Sequence, residues 1–488
     1  MTEGTGAAGV GKFATGIPGF EYISDGGLPA GRATLVAGSS GSGKSIFSAQ
    51  FLVAGIQQAG DPGVFVTFEE PPTAIRDNFE SLDWAIGEWE AQGLWAFVDL
   101  SPEEEQPEVA GDFDLGALLP RIEHAVNRVG ARRLVIDSIG TLYSQFSDRH
   151  MVRRALGQLM AAVRRMGVTT LVTAERTEEY GAVARFEVEE FVADSVVLLR
   201  NILDGDKRRR TLEILKMRGT SHQKGEYPFS VSAEAEGVSI IPLSAIELNQ
   251  PASTERASFG VPELDAMCAG GLLRRSVSLV AGPTGTGKSL LSSHFLTGAP
   301  DERALLIAFE EGSDQLRRNA DGWGLPLRAM EERGSLRIES AYPETAALED
   351  HLVRLKNVLD EFRPERVALD SLSALERIGS DRGFREFLIA LVAHLRAQGI
   401  TTLLTTNTSN LQGGGIASEA QVSSMTDTIL LLRYAEQAAQ VKRALVVLKM
   451  RGSDQDKAVR EFTVSDRGIR VGEPLQGKGG SLLGFTGV

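Results

Sequence analysis

Short, mostly apolar runs alternate along the chain with longer stretches in which apolar residues recur at helical spacing. Such runs are typical of strands that are buried on both faces of a parallel sheet. The alternation therefore predicts an α/β fold with helices on both faces of the sheet. The strands predicted in the first half are Ala33–Gly38, Gly63–Glu70, Leu134–Ser138, Thr169–Glu175 and Asp194–Asn201, with helices such as Ser45–Gly60 and Arg149–Gly167 between them.

The pattern changes at the last of these strands. Val196–Gly219 contains two strand-like runs joined by Asp204-Gly205, a turn sequence typical of a β-hairpin. The pentapeptide LKMRG, Leu215–Gly219, therefore lies at the far end of the second hairpin strand.

The chain contains this design twice. Gly16–Ser45 aligns without gaps with Gly260–Ser289, at an offset of 260 − 16 = 244 residues. LKMRG recurs at Leu448–Gly452, at an offset of 448 − 215 = 233 residues, and the motifs keep their order. A tandem duplication explains both observations. With a polar linker near Leu243–Ser258, we expect a flexible tail over residues 1–12 and two domains over residues 13–246 and 247–488.

The charge and residue composition of the chain argue against some classes of binding partner. The 488 residues include 51 basic and 65 acidic ones, so the formal net charge is −14. This charge repels nucleic acids, and binding to DNA or RNA is not expected without a local basic groove. A single cysteine, Cys268, excludes an internal disulfide. No signal peptide and no apolar run long enough to cross a membrane is evident, so we expect a cytoplasmic protein.

Two octapeptides, GSSGSGKS at Gly38–Ser45 and GPTGTGKS at Gly282–Ser289, fit the phosphate-loop pattern between a strand and a helix. A chance glycine-rich turn would not recur at homologous positions. In such loops the lysine reaches the β- and γ-phosphates and the serine hydroxyl ligates Mg²⁺. The residues expected to hold ATP here are Gly41, Ser42, Gly43, Lys44, Ser45 and Ile46 in the first domain, and Thr284, Gly285, Thr286, Gly287, Lys288, Ser289 and Leu290 in the second.

Acidic residues close other predicted strands in both copies. Asp137 and Asp370, which are 370 − 137 = 233 residues apart, can hold the water shell of a metal ion; a helix N-cap is the alternative. Glu69-Glu70 and Glu310-Glu311 end the strand after the loop helix. Glu69 and Glu310 can orient or deprotonate a water in line with the γ-phosphate. A solvated strand end is the alternative.

The LKMRG segments are expected to contact a nucleotide other than that of their own domain. Nucleotides bind at the carboxyl ends of parallel strands, so a hairpin end at the far edge cannot easily reach its own domain's nucleotide. It can reach a neighbour's nucleotide if the subunits close into a ring. Lys216 with Arg218, and Lys449 with Arg451, alternate with methionine and so share one face of the strand. They can stabilise a transferring phosphoryl group as arginine fingers do, the alternative being a solvated strand end.

These motifs, in this order and present twice, resemble those of the KaiC family of circadian clock ATPases and autokinases. The resemblance covers nearly the whole chain and implies two tandem RecA-like P-loop ATPase domains. It also implies a homohexamer of two stacked rings with ATP and Mg²⁺ at the subunit interfaces. The first ring would be a slow ATPase and the second a serine autokinase and autophosphatase. The most specific segments are Arg208–Phe229, Ala184–Val192, Asn407–Asn410 and Lys449–Phe462.

The resemblance also assigns roles to residues. Glu69 and Glu310 match the catalytic glutamates, and Glu311 and Ser289 match metal contacts. Trp323 would lie near the base, although it could equally belong to the core. The matches to contacts with the neighbour's nucleotide are Ser81, Lys216, Met217, Arg218, Thr220 and His222 in the first domain, and Arg443, Lys449, Met450, Arg451 and Ser453 in the second.

Three departures from the family pattern affect regulation. Gln455 replaces an expected histidine, and Ser423-Ser424 stands in place of the Ser-Thr phosphoacceptor pair. At an offset of 233 or 234 residues the first domain has Glu189-Glu190 there, fixed carboxylates in place of the hydroxyls that could become phosphoserine. The chain stops at Val488, soon after the last strand, so regulation by a KaiA-like partner is not expected. A KaiB-like partner on the first ring remains compatible.

Two other function classes fit parts of the sequence. A RecA-type, nucleic-acid-dependent motor or repair ATPase would use the basic run Lys207–Arg210, but a solvated hairpin tip explains that run equally well. A scaffold that binds nucleotide only to assemble would not need intact glutamates in both domains.

Overall fold

The computed structural model describes residues 10–101, 115–140, 149–181, 193–205, 207–233, 237–242, 253–407, 422, 424–437 and 440–475. The chain forms two compact units. The first comprises Met1–Leu203 with Arg208–Ala245, and the second comprises Asp204–Lys207 with Ile246–Val488.

The elements of the first unit follow the predicted alternation. Its helices are α1 Phe20–Ile23, α2 Lys44–Ala59, α3 Pro72–Phe79, α4 Ile86–Ala91, α5 Leu115–Val129 and α6 Arg149–Met166, with a 3₁₀ turn at Glu80–Leu82. Its strands are β1 Lys12–Phe13, β2 Leu28–Pro29, β3 Ala33–Gly38, β4 Gly63–Thr67, β5 Trp95–Asp99, β6 Arg133–Asp137, β7 Thr169–Glu175, β8 Ser195–Asp204, β9 Lys207–Met217, β10 Glu226–Ser232 and β11 Gly237–Ile240.

The second unit repeats the plan. Its strands are β12 Arg256–Ala257, β13 Leu272–Leu273, β14 Val277–Gly282, β15 Ala304–Phe309, β16 Leu336–Ala341, β17 Arg366–Asp370, β18 Thr401–Asn407, β19 Thr428–Gln437, β20 Gln440–Met450, β21 Arg460–Ser465 and β22 Gly468–Pro474. Its helices are α7 Pro262–Met267, α8 Lys288–Thr297, α9 Ser313–Gly322, α10 Leu327–Glu332, α11 Leu348–Phe362, α12 Leu372–Glu376 and α13 Asp381–Ala397, with a 3₁₀ turn at Pro343–Thr345.

The two large sheets have the same topology. The first has the strand order β5-β4-β6-β7-β3-β8-β9-β10-β11, and the second has the order β16-β15-β17-β18-β14-β19-β20-β21-β22. Each sheet is parallel from its first edge to β8 or β19. The last strands of the second sheet, and β9 to β11 of the first, run antiparallel to their neighbours. The predicted class, tandem parallel sheets that end in a β-hairpin, is confirmed.

Helices cover both faces of the first sheet, as the apolar strands require. Leu35 belongs to the apolar cluster that contains Ile122 of α5 and Val163 of α6. Val36, the next residue along β3, belongs to the cluster that contains Phe51 of α2. Neighbouring strand residues point to opposite faces, so one central strand anchors both halves of the core.

A buried arginine ties three segments together in each unit. Arg366 Nη1 donates to the carbonyl oxygens of Ser258 at 2.6 Å and Phe295 at 2.9 Å. In the first unit Arg133 Nη1 donates to the Thr15 and Phe51 carbonyls, both at 2.8 Å. The strand that ends in the predicted metal-site aspartate is thereby fixed to the phosphate-loop helix.

Candidate functional site

The phosphate loops connect the central strand of each sheet to the helix behind it. β3 ends at Gly38 and α2 begins at Lys44, with Gly43 between them at a φ of 91°. Gly287 holds the same place before α8 at a φ of 107°. Only glycine adopts this left-handed conformation without strain, and it turns the free backbone N–H groups of the helix toward the loop. Such a helix end is an anion site.

The two loop lysines donate hydrogen bonds to carbonyl oxygens of their own loops. Lys44 Nζ donates to the Ser39 carbonyl at 2.9 Å, and Lys288 Nζ donates to the carbonyls of Gly282 at 2.8 Å and Pro283 at 2.9 Å. Burial lowers the pKa of both lysines. Each lysine Nζ therefore lies within its loop, where phosphate oxygens would accept its hydrogen bonds in place of the carbonyl oxygens.

The predicted metal-site aspartates lie beside these loops. Asp137 accepts hydrogen bonds from Thr173 and from the loop serine Ser45, and burial raises its pKa. Asp370 accepts from Thr405 Oγ1 at 2.5 Å. The peptide bond after each aspartate is cis. The structure thus brings the loop hydroxyl and the carboxylate of the first unit together, as a Mg²⁺ site requires.

The second unit offers an independent sign of a cation site. Glu311 Oε2 is buried and accepts no hydrogen bond within the described residues. Its pKa is raised by burial and by the nearby carboxylates of Asp370 and Glu310. An unpaired carboxylate oxygen among other carboxylates suits a hard cation. Ser289, Glu311 and Asp370 would hold Mg²⁺, which would neutralise charge on the β- and γ-phosphates.

The two catalytic candidates have different partners. Ser138 Oγ, which is buried, donates to Glu69 Oε1 at 2.6 Å. Glu310 forms an ion pair with Arg377 on the chain just after α12, and its φ is 82°. A non-glycine residue at such a φ is strained, which is common at functional sites. Sequence reasoning missed both partners; the serine that follows each strand-ending aspartate was the available signal for Ser138.

Side chains of the hairpins contact the phosphate loops, a role that the sequence analysis did not assign to them. Arg210 Nε and Asn201 Nδ2 both donate to the Gly41 carbonyl at 3.3 Å. In the second unit Arg443 Nε donates to the Gly285 carbonyl at 3.4 Å. Arg443 was predicted to contact a neighbour's nucleotide, and in its own protomer it lies at its own loop.

LKMRG lies at the opposite end of each sheet from the loop. The backbone N–H of Arg451 donates to the Asp427 carbonyl at 2.9 Å, and Met450 pairs with Thr428, which in turn pairs with Ser278. Ser278 is the second residue of β14, whereas the phosphate loop follows the last residue of that strand.

The first unit has the same arrangement. The backbone N–H of Arg218 donates to the Asp194 carbonyl at 3.0 Å, directly before the start of β8. Lys216 Nζ donates to the Ala193 carbonyl at 2.9 Å. Met217 is buried, whereas Arg218 is exposed. These cations therefore lie away from the phosphate loop of their own unit, where they could contact another molecule.

Comparison with known proteins gives the same assignment. The sequence profile of the family described as "ATPase: KaiC" matches residues 13–245 and, a second time, residues 257–476. The chain belongs to the KaiC family. Its domains are thus KaiC-type ATPase domains, as the motifs predicted.

Curated KaiC-family relatives match nearly the full chain. The circadian clock protein KaiC3 of Synechocystis sp. is 52% identical over 479 residues, which cover 98% of this chain and 94% of that protein. The circadian clock oscillator protein KaiC of Thermostichus vulcanus is 48% identical over 480 residues, covering 98% and 92%. That of Synechococcus elongatus is 48% identical over 461 residues, covering 94% and 88%.

The remaining KaiC-type contact residues lie in several places. Ser81 is exposed in the 3₁₀ turn Glu80–Leu82, and Thr220 and His222 follow LKMRG in the first unit. Trp323 follows α9, half-buried against the apolar cluster of the second unit. Ser453 Oγ accepts from Arg256 Nη2 at 2.6 Å. Ser424 is exposed, whereas Ser423 lies outside the described residues, as do Glu189 and Glu190.

No helix in the described ranges combines the length and apolar character that a membrane crossing requires.

Proposed function

We propose that this KaiC-family chain forms a homohexamer of two rings that hydrolyses ATP in the first ring and phosphorylates its own serines in the second. The observation that carries the proposal is the placement of LKMRG. In both units its cations lie at the end of the sheet opposite their own phosphate loop. A head-to-tail ring brings those cations of one protomer to the loop of the next, so that each ATP site is completed by a neighbour.

The same group transfer, with a different acceptor, occurs in each ring. In the first, a water oxygen bonds to the γ-phosphorus as the bond to the ADP oxygen breaks, and Glu69 accepts the proton. In the second, the acceptor is the Oγ of Ser423 or Ser424, and Glu310 accepts its proton. Arg218 or Arg451 of the neighbour stabilises the charge on the transferring group.

The names of the relatives, which are circadian clock proteins, extend the proposal to a timing role. Slow hydrolysis and reversible phosphorylation in one assembly suit a clock or signalling timer. We propose ATP and Mg²⁺ as its cofactors and a KaiB-like protein as a candidate partner on the first ring.

Assembly tests the proposal. With ATP and Mg²⁺, light scattering coupled to size exclusion should show a hexamer. Arg218→Ala should bind ATP with little change yet hydrolyse it in the first ring on the order of 10³-fold more slowly. Arg128→Ala, an exposed arginine at the end of α5, is the control and should keep normal turnover. Monomers at every ATP concentration would refute the ring.

A further inference from the structure

Two cations of the second unit already hold the segment that contains a predicted phosphoacceptor. Arg451 Nη2 donates to the Ser424 carbonyl at 2.9 Å, and Lys449 Nζ donates to the Thr426 carbonyl at 2.8 Å. Both contacts are within one protomer, and both cations are the ones proposed to reach the neighbour's ATP. One pair of side chains therefore has two possible partners.

The charges around this segment favour an added anion. Burial lowers the pKa of Lys449, the nearby positive charge of Arg451 lowers it further, and the carboxylate of Asp427 partly opposes both effects. Arg396 Nη2 also reaches the segment, donating to the Met425 carbonyl at 2.8 Å and to Asp427 Oδ2 at 3.0 Å. Three cations therefore lie around this segment, with Asp427 as a carboxylate among them. A phosphate on Ser424 would add roughly −1.5 to −2 charges beside them.

We propose that phosphate on Ser424 is bound by Arg451 and Lys449 of its own protomer, which draws both cations away from the neighbour's triphosphate and makes the modification self-limiting. The inference rests on the proposed function, because it takes the ring and the phosphoryl transfer as given. Each transfer converts ATP and the serine hydroxyl into ADP and phosphoserine, with the proton left on Glu310. The phosphoserine then competes for the cations that stabilised its formation.

The first unit has the same lysine contact, but its sequence has no serine acceptor at the corresponding place. Lys216 donates to the Ala193 carbonyl as Lys449 donates to the Thr426 carbonyl. At the corresponding place the sequence has Glu189-Glu190, which lies outside the described residues. The first ring thus carries permanent negative charge in the segment where the second ring acquires charge by phosphorylation, so the reversible step belongs to the second ring alone.

The test installs phosphoserine at position 424 during synthesis, so that it does not depend on autophosphorylation. In the full-length protein with ATP analogue and Mg²⁺, ³¹P NMR follows the titration of that phosphate. A free phosphoserine titrates near pH 6. We expect a pKa about one unit or more lower at position 424, because two cations lie nearby. Phosphoserine at exposed Ser465 is the matched control and should titrate near 6.

Arg451→Gln should bring the pKa of phosphoserine 424 back toward about 6. Equal pKa values at positions 424 and 465, or no response to Arg451→Gln, would overturn the phosphate site. The rate provides the second arm. In a Glu69→Gln background, phosphoserine at 424 should slow the transfer of labelled phosphate to Ser423 about tenfold relative to Ser424→Ala, the loss of one charge-assisted contact. Equal rates would overturn self-limitation, whereas absent labelling of unmodified protein would refute the proposed kinase and leave the titration result standing.

Discussion

Glu69 and Glu310 hold equivalent places in the two sheets but differ in what restrains them. A neutral hydroxyl, Ser138 Oγ, orients Glu69, whereas the guanidinium of Arg377 is paired with Glu310. A hydrogen bond from a hydroxyl orients a carboxylate without neutralising its charge. One held by a cation must exchange that partner before it can accept a proton. This difference fits a first ring that activates water continuously and a second ring that acts on a serine.

We expect the two glutamates to separate the two activities. Glu69→Gln should remove most steady-state hydrolysis and leave phosphate incorporation into protein, because the amide cannot accept a proton. Glu310→Gln should do the reverse. Labelled ATP, followed by measurement of free phosphate and of protein-bound phosphate, gives both rates. A variant that loses both activities while remaining hexameric would contradict the division of labour.

Ser138→Ala tests the orientation of Glu69. Loss of one hydrogen bond to a charged group, about 1.5–3 kcal/mol, should lower first-ring hydrolysis by roughly 10- to 100-fold. The KM for ATP should change little, because the hydrogen bond of Ser138 is to Glu69 and not to a loop residue. Ser101→Ala is the control: Ser101 Oγ also donates to a strand-end carboxylate, Asp99 Oδ1, at 2.6 Å. Equal effects of both variants would point to a structural role.

How much of this site could be predicted depends on what each residue contacts. Both glutamates were found because they repeat in register at the end of the same strand. Ser138 and Arg377 could not be assigned as their partners, because each comes from a different strand or helix and only folding brings it close. Arg377 also lacks a counterpart among the described residues of the first unit.

At the scale of elements, the apolar strands were the easiest to predict. Thr169–Glu175 was predicted to the residue, and the Asp204-Gly205 turn joins β8 to β9. The strands beyond LKMRG, such as β10 and β21, were not predicted. β21 has the sequence REFTVS, without an apolar run, and the apolar run of β10 is only three residues long and contains a proline. Antiparallel strands can face solvent on one side, so their signal is weaker.

The edge strands are fastened to the phosphate-loop helix by one side chain in each unit. Gln50 Oε1 accepts from the backbone N–H of Val238 in β11 at 2.6 Å, and its Nε2 donates back to the Val238 carbonyl at 3.1 Å. In the second unit His294 Nε2 accepts from the backbone N–H of Ile469 in β22 at 2.9 Å. Burial lowers the pKa of His294, and a hydrogen bond with the Gly260 backbone partly opposes this.

His294 should make the second unit sensitive to acid. Because its folded-state pKa is lowered, the unfolded chain takes up the proton first as the pH falls below about 6.5. The free energy of unfolding therefore decreases in that range, by at most about 1.4 kcal/mol per pH unit for this group. His351 and His394 have lowered pKa values as well, so His294→Gln should remove only part of the slope.

Urea unfolding at pH 7.5 and 5.5 measures that slope. His294→Gln keeps an acceptor for Ile469, so stability at pH 7.5 should change by less than about 1.5 kcal/mol. The converse variant, Gln50→His, should introduce acid sensitivity into the first unit. An unchanged slope in both variants would show that the contact to the edge strand does not titrate.

At the scale of the whole molecule, an ATP site in the proposed ring is built from two chains. In that proposed ring, Lys44 and Glu69 would act on the nucleotide of their own loop, whereas Arg218 would act on that of the neighbour. Two inactive chains can then restore each other only when the defects lie on opposite sides of an interface.

Mixing variants tests this complementarity. Lys44→Ala and Arg218→Ala should each lack first-ring hydrolysis. Mixed in equal amounts and reassembled with ATP, they should recover about a quarter of the wild-type rate, because that fraction of interfaces pairs an intact loop with an intact arginine. Lys44→Ala mixed with Glu69→Gln should recover nothing, since both defects lie in the loop-owning chain. No recovery in the first mixture, with hexamers present, would rule out a shared site.

In the proposed ring, one strand in each unit would connect the ATP site of its own loop with the ATP site of a neighbour. In the second unit, β20 carries Arg443 at its own loop, and Arg451 directly follows the other end of this strand. The two arginines are eight residues, or about 27 Å, apart. β9 has the same 11-residue length as β20. The length of the strand fixes the spacing of the two arginines, because an inserted residue would shift one arginine out of reach and turn its side chain to the other face. Selection can therefore lengthen the loops between motifs, where the repeat offset drifts from 244 to 233, but it must leave this interval alone.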